Sequence, residues 1–378
     1  MRVASRHLES RIQAPALWFV LYLLAFLLFW AATPWLLGMQ PPSDNFEQLN
    51  WALHPALGYS KHPPLPTLVL WLFERIAPAG IVLTYALGGL QVLTLITLAW
   101  FTGRRSLDER RALLGALVIT CISYYTLRLH YYNHNTALMC ATAASMLCTW
   151  QAVHMRGYRW WVALGICWAA GLMSKYQMAL GIACNVAFVA SQMRSRSAPR
   201  CLYGLCISAC IAALLCVPHL IWLIQHHFPS FAYAGAQLGA ALSLAGRADS
   251  LLRFFASQTL RLLPAMVVLA IWRWLGSRQM SSGDEGPALT VTPNAATARQ
   301  FWTIHAWGPF LLMAAMTVFG GVDLEMHWGT AYLWALPLWY LSLADGERAT
   351  RLSVQDAFAV LAIVQALLMT GKVLFPEA

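Results

Sequence analysis

Apolar residues in this sequence run on rather than alternate. A first run extends from Ala14 to Gly38, and others fall at about 81–101, 112–128, 136–153, 160–174, 176–192, 201–224, 252–274, 301–320, 328–344 and 356–372. A bilayer core takes ~20 apolar helical residues to cross, and a helix satisfies its own backbone there. The runs therefore predict an all-α fold, a polytopic transmembrane helical bundle of about eleven spans. The first run follows the basic leader Arg2, Arg6 and Arg11. It is longer than the ~7–15-residue apolar segment of a cleaved signal peptide, so a retained first span is expected. The loops are short, and residues 1–378 are expected to form a single transmembrane domain with no separate soluble C-terminal domain.

Composition agrees with this pattern. The chain is 59% hydrophobic and 11% charged, whereas soluble proteins carry about 25% charged residues. The net charge of +10 does not mark a nucleic-acid module, because the Arg residues sit between apolar runs rather than on one basic face. The nine cysteines lie between Cys121 and Cys216 with no CxxC spacing, which suits small packing residues in helices better than a disulfide framework.

Cytoplasmic loops retain positive charge. With the N-terminus cytoplasmic, alternate loops hold Arg104, Arg105, Arg110 and Arg111; Arg156 and Arg159; Arg194, Arg196 and Arg200; Arg273, Arg278 and Arg299; and Arg348 and Arg351. With the leader, these are most of the 25 Lys and Arg residues. The same parity sends residues 39–80, 225–250, 320–328 and the junctions at 128–135 and 174–176 to the outer face. Its weakest point is the tight turn at Ser174-Lys175. The segment Gly276–Ala298, rich in Ser, Thr, Gly and Pro, reads as a mobile linker. No repeat suggests an inverted-repeat transporter.

Candidate chemistry gathers in those outer segments. In the first loop, Asp44 and Glu47 would share one face of a short helix if Ser43 caps it, and Glu47 serves equally well as a capping carboxylate. Lys61-His62-Pro63-Pro64 follows on the same loop. A Lys and a His at the membrane surface suit a lipid-linked phosphate, and a nearby carboxylate suits removal of a proton from a hydroxyl. A snorkelling anchor is the alternative for Lys61. The stretch Arg128-Leu129-His130-Tyr131-Tyr132-Asn133-His134-Asn135 offers guanidinium, imidazole and amide donors without an acid, which fits a hydroxyl-rich or phosphate ligand better than a metal. An Asn cap beside interfacial aromatics accounts for it equally well. Lys175, with Tyr176, interrupts an apolar region and is a second candidate phosphate contact. His327 and Trp328 could bind a sugar, although Trp328 also suits an aromatic belt. The segment Trp222–Tyr233 is amphipathic and could shape entry of a lipid tail.

Asp44-Asn45-x-Glu47-Gln48-Leu49, Gly58-Tyr59-x-Lys61-His62-Pro63-Pro64-Leu65, Asn133-x-Asn135-Thr136 and His327-Trp328 together resemble bacterial membrane glycosyltransferases of the GT-C fold. The nearest group is glycosyltransferase family 39, with its protein O-mannosyltransferase-like, lipid A aminoarabinose and Rgt-type lipopolysaccharide core transferases. The resemblance covers residues 15 to about 345 and implies short interfacial helices in the first outer loop. It implies inverting transfer of a sugar from a polyprenyl-phosphate (undecaprenyl-phosphate) donor to an envelope glycolipid, lipopolysaccharide or other glycan acceptor, on the periplasmic face of the bacterial inner membrane. By this resemblance Asp44 is the acceptor-activating base and Lys61 the phosphate contact. Many relatives have Asp-Glu where this chain has Asp44-Asn45, so Glu47 is the candidate second carboxylate. His62, Lys175 and Arg128 are assigned to donor phosphate, and Tyr59, His130, Asn133, Asn135, Tyr176, His327 and Trp328 to sugar or acceptor. No metal site and no certain cofactor is assigned, a divalent metal lacking a ligand cluster, and the partners are membrane lipids, donor and acceptor, with no nucleic acid. The rival readings are a lipid-linked sugar flippase, which predicts polar residues near the bilayer midplane, and a non-catalytic lipid-carrier-binding assembly partner.

Overall fold

The structure, a computed structural model, describes residues 2–194, 197–238, 241–281, 295–343 and 353–375. The linker expected within 276–298 therefore lies mostly outside the described residues, as do Arg196, Arg348 and Arg351. Fifteen α-helices are described: α1 (Arg2–Leu36), α2 (Ser43–Ala52), α3 (Leu65–Phe73), α4 (Ile81–Ser106), α5 (Glu109–Ile119), α6 (Ser123–Leu127), α7 (His134–His154), α8 (Arg159–Ser174), α9 (Met178–Gln192), α10 (Ala198–Gln225), α11 (Pro229–Leu238), α12 (Leu244–Ser281), α13 (Ala295–Gly320), α14 (Ala335–Ser342) and α15 (Val354–Leu374). A 3₁₀ turn, Trp328–Ala331, precedes α14.

Seven helices (α1, α4, α7, α10, α12, α13 and α15) are long and apolar enough to cross a membrane. Helix α7 is the hub, packed against α4, α8 and α9. Its apolar window is 78% buried against 22% for α10, the mark of a helix that is apolar all round because protein surrounds it.

The other four expected spans are built differently. Helices α8 and α9 have 16 and 15 residues, which at 1.5 Å per residue is about 24 and 22 Å. They are joined through Lys175–Gln177, and each packs chiefly on other helices, α8 on α7 and α10 and α9 on α13 and α7. The run at 112–128 breaks after α5, where Thr120 turns its hydroxyl to the Leu117 carbonyl and the chain restarts as α6. The run at 328–344 breaks between the 3₁₀ turn and α14. Buried Tyr125 repairs this break, its hydroxyl donating to the Thr330 carbonyl (2.7 Å) and accepting from the Trp334 amide (3.1 Å). Irregular backbone inside a bundle persists only with such partners.

Helices α2 and α3 fold back on α4 and α8 at one end of the bundle. There α2 meets the 128–133 segment, the loop between α2 and α3 meets α10 and α11, and the Lys175 turn bonds the start of α7 and, through Gln177, the turn before α14. The segments expected on one face thus do lie together. One polar group lies deeper: buried His305 meets Asn185 at 2.9 Å, and Asn185 meets Ser145 at 3.1 Å.

Candidate active site

Two buried amides fasten the first loop to the bundle. Asn45, fully buried, donates through Nδ2 to Thr84 Oγ1 (2.8 Å) and the His130 carbonyl (2.9 Å) and accepts the Tyr132 amide (3.0 Å). Helix α4 approaches this segment so closely that a Cβ on Gly88 would lie 2.6 Å from the Tyr131 carbonyl oxygen. One turn along α2, Gln48 accepts the Thr67 hydroxyl (2.8 Å), which turns its Nε2 to His134 Nδ1 (3.3 Å). His134 Nε2 lies 3.2 Å from the Pro63 carbonyl, which only accepts. The proton therefore sits on Nε2, and His134 is a neutral fastener between α2, α7 and the Pro63-Pro64 turn.

This docking brings Asp44 to the start of α7. Pro42, not Ser43, is the N-cap of α2, with no side-chain cap bond, and Asp44 lies in its first turn. Asn133 Nδ2 donates to Asp44 Oδ2 at 2.7 Å. Asn133 also caps α7, its Oδ1 accepting the amides of Asn135 (2.9 Å) and Thr136 (3.0 Å). Asn135 Oδ1 in turn accepts Lys175 Nζ at 2.7 Å. Hydrogen bonds thus run from the carboxylate to the ammonium. Burial pushes the Lys175 ammonium down to about 8, opposed by Asp44 and Glu325.

Glu47, expected as a second catalytic carboxylate, is paired with a cation. It faces Lys61, with Oε1 2.6 Å from Nζ, and this hydrogen bond raises the Lys61 pKa. Asp44 and Glu47 share a helical turn yet serve different partners, because position 44 meets α7 while position 47 meets the returning loop. Tyr59, expected at a sugar, spends its hydroxyl inside the loop, accepting the Ala56 amide and donating to the Trp51 carbonyl, while its ring stacks on Trp51 at 4.5 Å. His62 lies 4.1 Å from the His134 ring and makes no side-chain hydrogen bond among the described residues. Burial, Lys175 and Lys61 lower it to about 3.

The far side of the site is cationic. Exposed Arg128 lies over the Tyr131 ring at 5.0 Å and has no carboxylate in ion-pair range among the described residues. Arg261 reaches from α12 to Gln258 Oε1 (3.3 Å) and the Met326 carbonyl. His327 is lowered to about 3 by burial, then by Lys175, Arg261, His62 and Arg128, so all four lie within electrostatic reach of it. His130 is lowered to about 4 by burial, Lys372 and Arg128, and packs edge-on to Tyr85. Trp328 lies against the core, its carbonyl held by Gln177 Nε2 at 2.7 Å. Tyr176 serves the α10–α11 corner instead, meeting His219 Nε2 at 2.8 Å and stacking on Phe231 at 5.1 Å.

The structure therefore unites Asp44, Lys175, His62, His327 and Arg128, with Lys61 and Glu47 beside them. It adds Asn45, Gln48, His134, Arg261 and Glu325. Of these, Asn45 and Gln48 stand in the first-loop motif and His134 in the 128–135 stretch, while Arg261 left a different signal, a guanidinium inside the apolar run 252–274. Among the described residues no group of three or more His, Cys, Asp or Glu side chains converges as a metal site.

With this geometry in hand, comparison with known proteins locates the architecture. Crystal structures of ArnT from Cupriavidus metallidurans superpose on 92% of this chain with a TM-score of 0.63. The chain has the ArnT fold. One of those ArnT structures is the apo state and the other is bound to undecaprenyl phosphate. Sequence identity to ArnT is 15%, and the chain spans 62% and 63% of the length of the two ArnT chains. Residues 61–222, from Lys61 into α10, match the family model for dolichyl-phosphate-mannose-protein mannosyltransferase. No curated protein matches in sequence.

Proposed function

We propose that this protein is an inverting glycosyltransferase of the bacterial inner membrane. It moves a sugar from a polyprenyl-phosphate carrier to an envelope glycolipid or glycan at the outer face. The observation that carries this reading is the run of hydrogen bonds from a carboxylate, Asp44, through Asn133 and Asn135 to the ammonium of Lys175. The ArnT structure with undecaprenyl phosphate and the lipid-phosphate-sugar chemistry named by the matching family support it.

In this reading the acceptor hydroxyl attacks the anomeric carbon from the Asp44 side. Its proton passes to the carboxylate as the new C–O bond forms. The bond from the anomeric carbon to the phosphate oxygen breaks, and the electron pair leaves with polyprenyl phosphate. Charge builds on that phosphate, so the guanidinium and ammonium groups opposite Asp44 stabilise the transition state more than the ground state. Lys61 joins them when the phosphate competes for it against Glu47. His62 and His327, held neutral, remain hydrogen-bond partners for sugar hydroxyls.

The test is mass spectrometry of envelope lipids and glycans from cells with the wild type, Asp44→Asn, or no gene. Loss of one sugar mass from an acceptor in both mutants, with accumulation of the matching polyprenyl-phosphate sugar, is expected. An unchanged acceptor profile would favour the flippase or carrier-binding readings instead.

A further inference from the structure

The two oxygens of Asp44 are not equivalent. Oδ2 accepts the Asn133 amide at 2.7 Å, whereas Oδ1 accepts no hydrogen bond among the described residues. Asn133 cannot turn away. Its side chain is buried at 4% exposure, its Oδ1 accepts two backbone amides, and its backbone N–H donates to Thr136 Oγ1 at 3.0 Å. Reversing the side-chain amide would break both cap bonds and aim an oxygen at the carboxylate. The cap of α7 therefore fixes which atom meets Asp44.

Resting on the glycosyl-transfer reading above, we propose that Asn133 is a positioning residue for Asp44: it holds Oδ2 and leaves Oδ1 as the oxygen that takes the acceptor proton. In the step, the acceptor O–H bond breaks and its proton moves to Oδ1. The O–C bond to the sugar forms, and the phosphate leaves with the electron pair of the old bond. Held by one donor, the carboxylate keeps a single orientation toward the attacking hydroxyl, and small misplacements of such groups are costly. Asn133 reaches the reaction through Asp44 and need not touch the sugar.

Asn133→Ser and Asn133→Asp separate this role from capping, because Ser and Asp both cap helices well while neither keeps the amide donor. Both are purified as full chains in lipid nanodiscs and assayed with the donor found by mass spectrometry, beside Asp44→Asn. The titratable groups within electrostatic reach of Asp44 are Lys175 from the α8–α9 turn, Lys61 from the first loop and Tyr124 from α6. All three stay in place. The expected result is a fall in kcat on the order of tenfold to 100-fold with donor KM little changed and thermal stability near wild type. Asn133→Asp also moves the acid limb of kcat to higher pH, because two adjacent carboxylates share a proton. Wild-type kcat and pH profile in both variants, with Asp44→Asn inactive, would overturn the positioning role alone. Full activity of Asp44→Asn would overturn the base assignment on which the role rests.

Discussion

Replacing Asn45 with Ala should loosen α2 from the bundle and silence the site without touching a reacting group. The truncation removes two donated bonds, to Thr84 and His130, and one accepted bond, from Tyr132, at a fully buried position. A net hydrogen bond contributes roughly 0.5–1.5 kcal/mol, a buried group left unsatisfied costs about 1–3 kcal/mol, and bonds between membrane helices average near ~0.6 kcal/mol. Three bonds with two stranded backbone partners therefore come to about 2–4 kcal/mol. At about 1.4 kcal/mol per decade, that is roughly a 30- to 700-fold rise in local opening. Amide exchange followed by mass spectrometry reads this directly at the Tyr132 amide and along α2. Asn45→Asp keeps the acceptor for Tyr132 but turns an oxygen toward the His130 carbonyl, and should open at least as far. Unchanged exchange at Tyr132 and α2 in Asn45→Ala, with normal turnover, would refute the claim that this amide docks the loop.

Glu47→Gln should retain most of the turnover, because Glu47 is bound to Lys61; a loss as deep as that of Asp44→Asn would restore Glu47 to the chemistry. In the free enzyme kcat/KM should decline as pH rises through about 8, where Lys175 gives up its proton, and Lys175→Arg should remove that limb. An alkaline limb unchanged by Lys175→Arg would assign it elsewhere. His62 and His327 titrate near 3 when folded and near 6.5 when unfolded. Between those values the unfolded chain binds protons that the fold excludes, so their stability contribution is full above about 6.5 and is lost as pH falls, by at most ~1.4 kcal/mol per pH unit per imidazole. Denaturation midpoints from pH 7 to 4 should show this slope, and His62→Asn should flatten it. Gly88→Val would push α4 away from the Leu129 and Tyr131 carbonyls, and the purified variant should melt at lower temperature; an unchanged melting temperature would mean that the segment yields freely.

The pattern of apolar runs carried the membrane architecture, because a run long enough to cross a bilayer needs no tertiary information to be recognised. The runs at 112–128 and 328–344 are continuous in the sequence but form two short helical pieces each in the structure, and the break in the second is held by the hydroxyl of distant Tyr125. Asp44, Lys61 and Lys175 were legible because a charge beside an apolar span is costly without a purpose. What the chain could not reveal was pairing. Nothing local distinguishes Asp44 from Glu47, yet one meets Asn133, 89 residues away, and the other meets Lys61. Asn45 and Gln48 stand in the first-loop motif and His134 in the 128–135 stretch, but their fastening role appears only once α2, α4 and α7 converge. The 128–135 segment left a cap and a ligand site as alternatives. Asn133 is a cap, and the same amide bonds Asp44.

The most direct measurement of the central claim uses purified enzyme in nanodiscs with its polyprenyl-phosphate sugar and acceptor. Product formation and binding of the lipid phosphate are followed separately for the wild type, Asp44→Asn and Lys175→Ala. The account predicts that Asp44→Asn binds the lipid phosphate like the wild type and forms almost no product, whereas Lys175→Ala loses lipid-phosphate affinity. Full turnover by Asp44→Asn, or undiminished lipid-phosphate binding by Lys175→Ala, would contradict it.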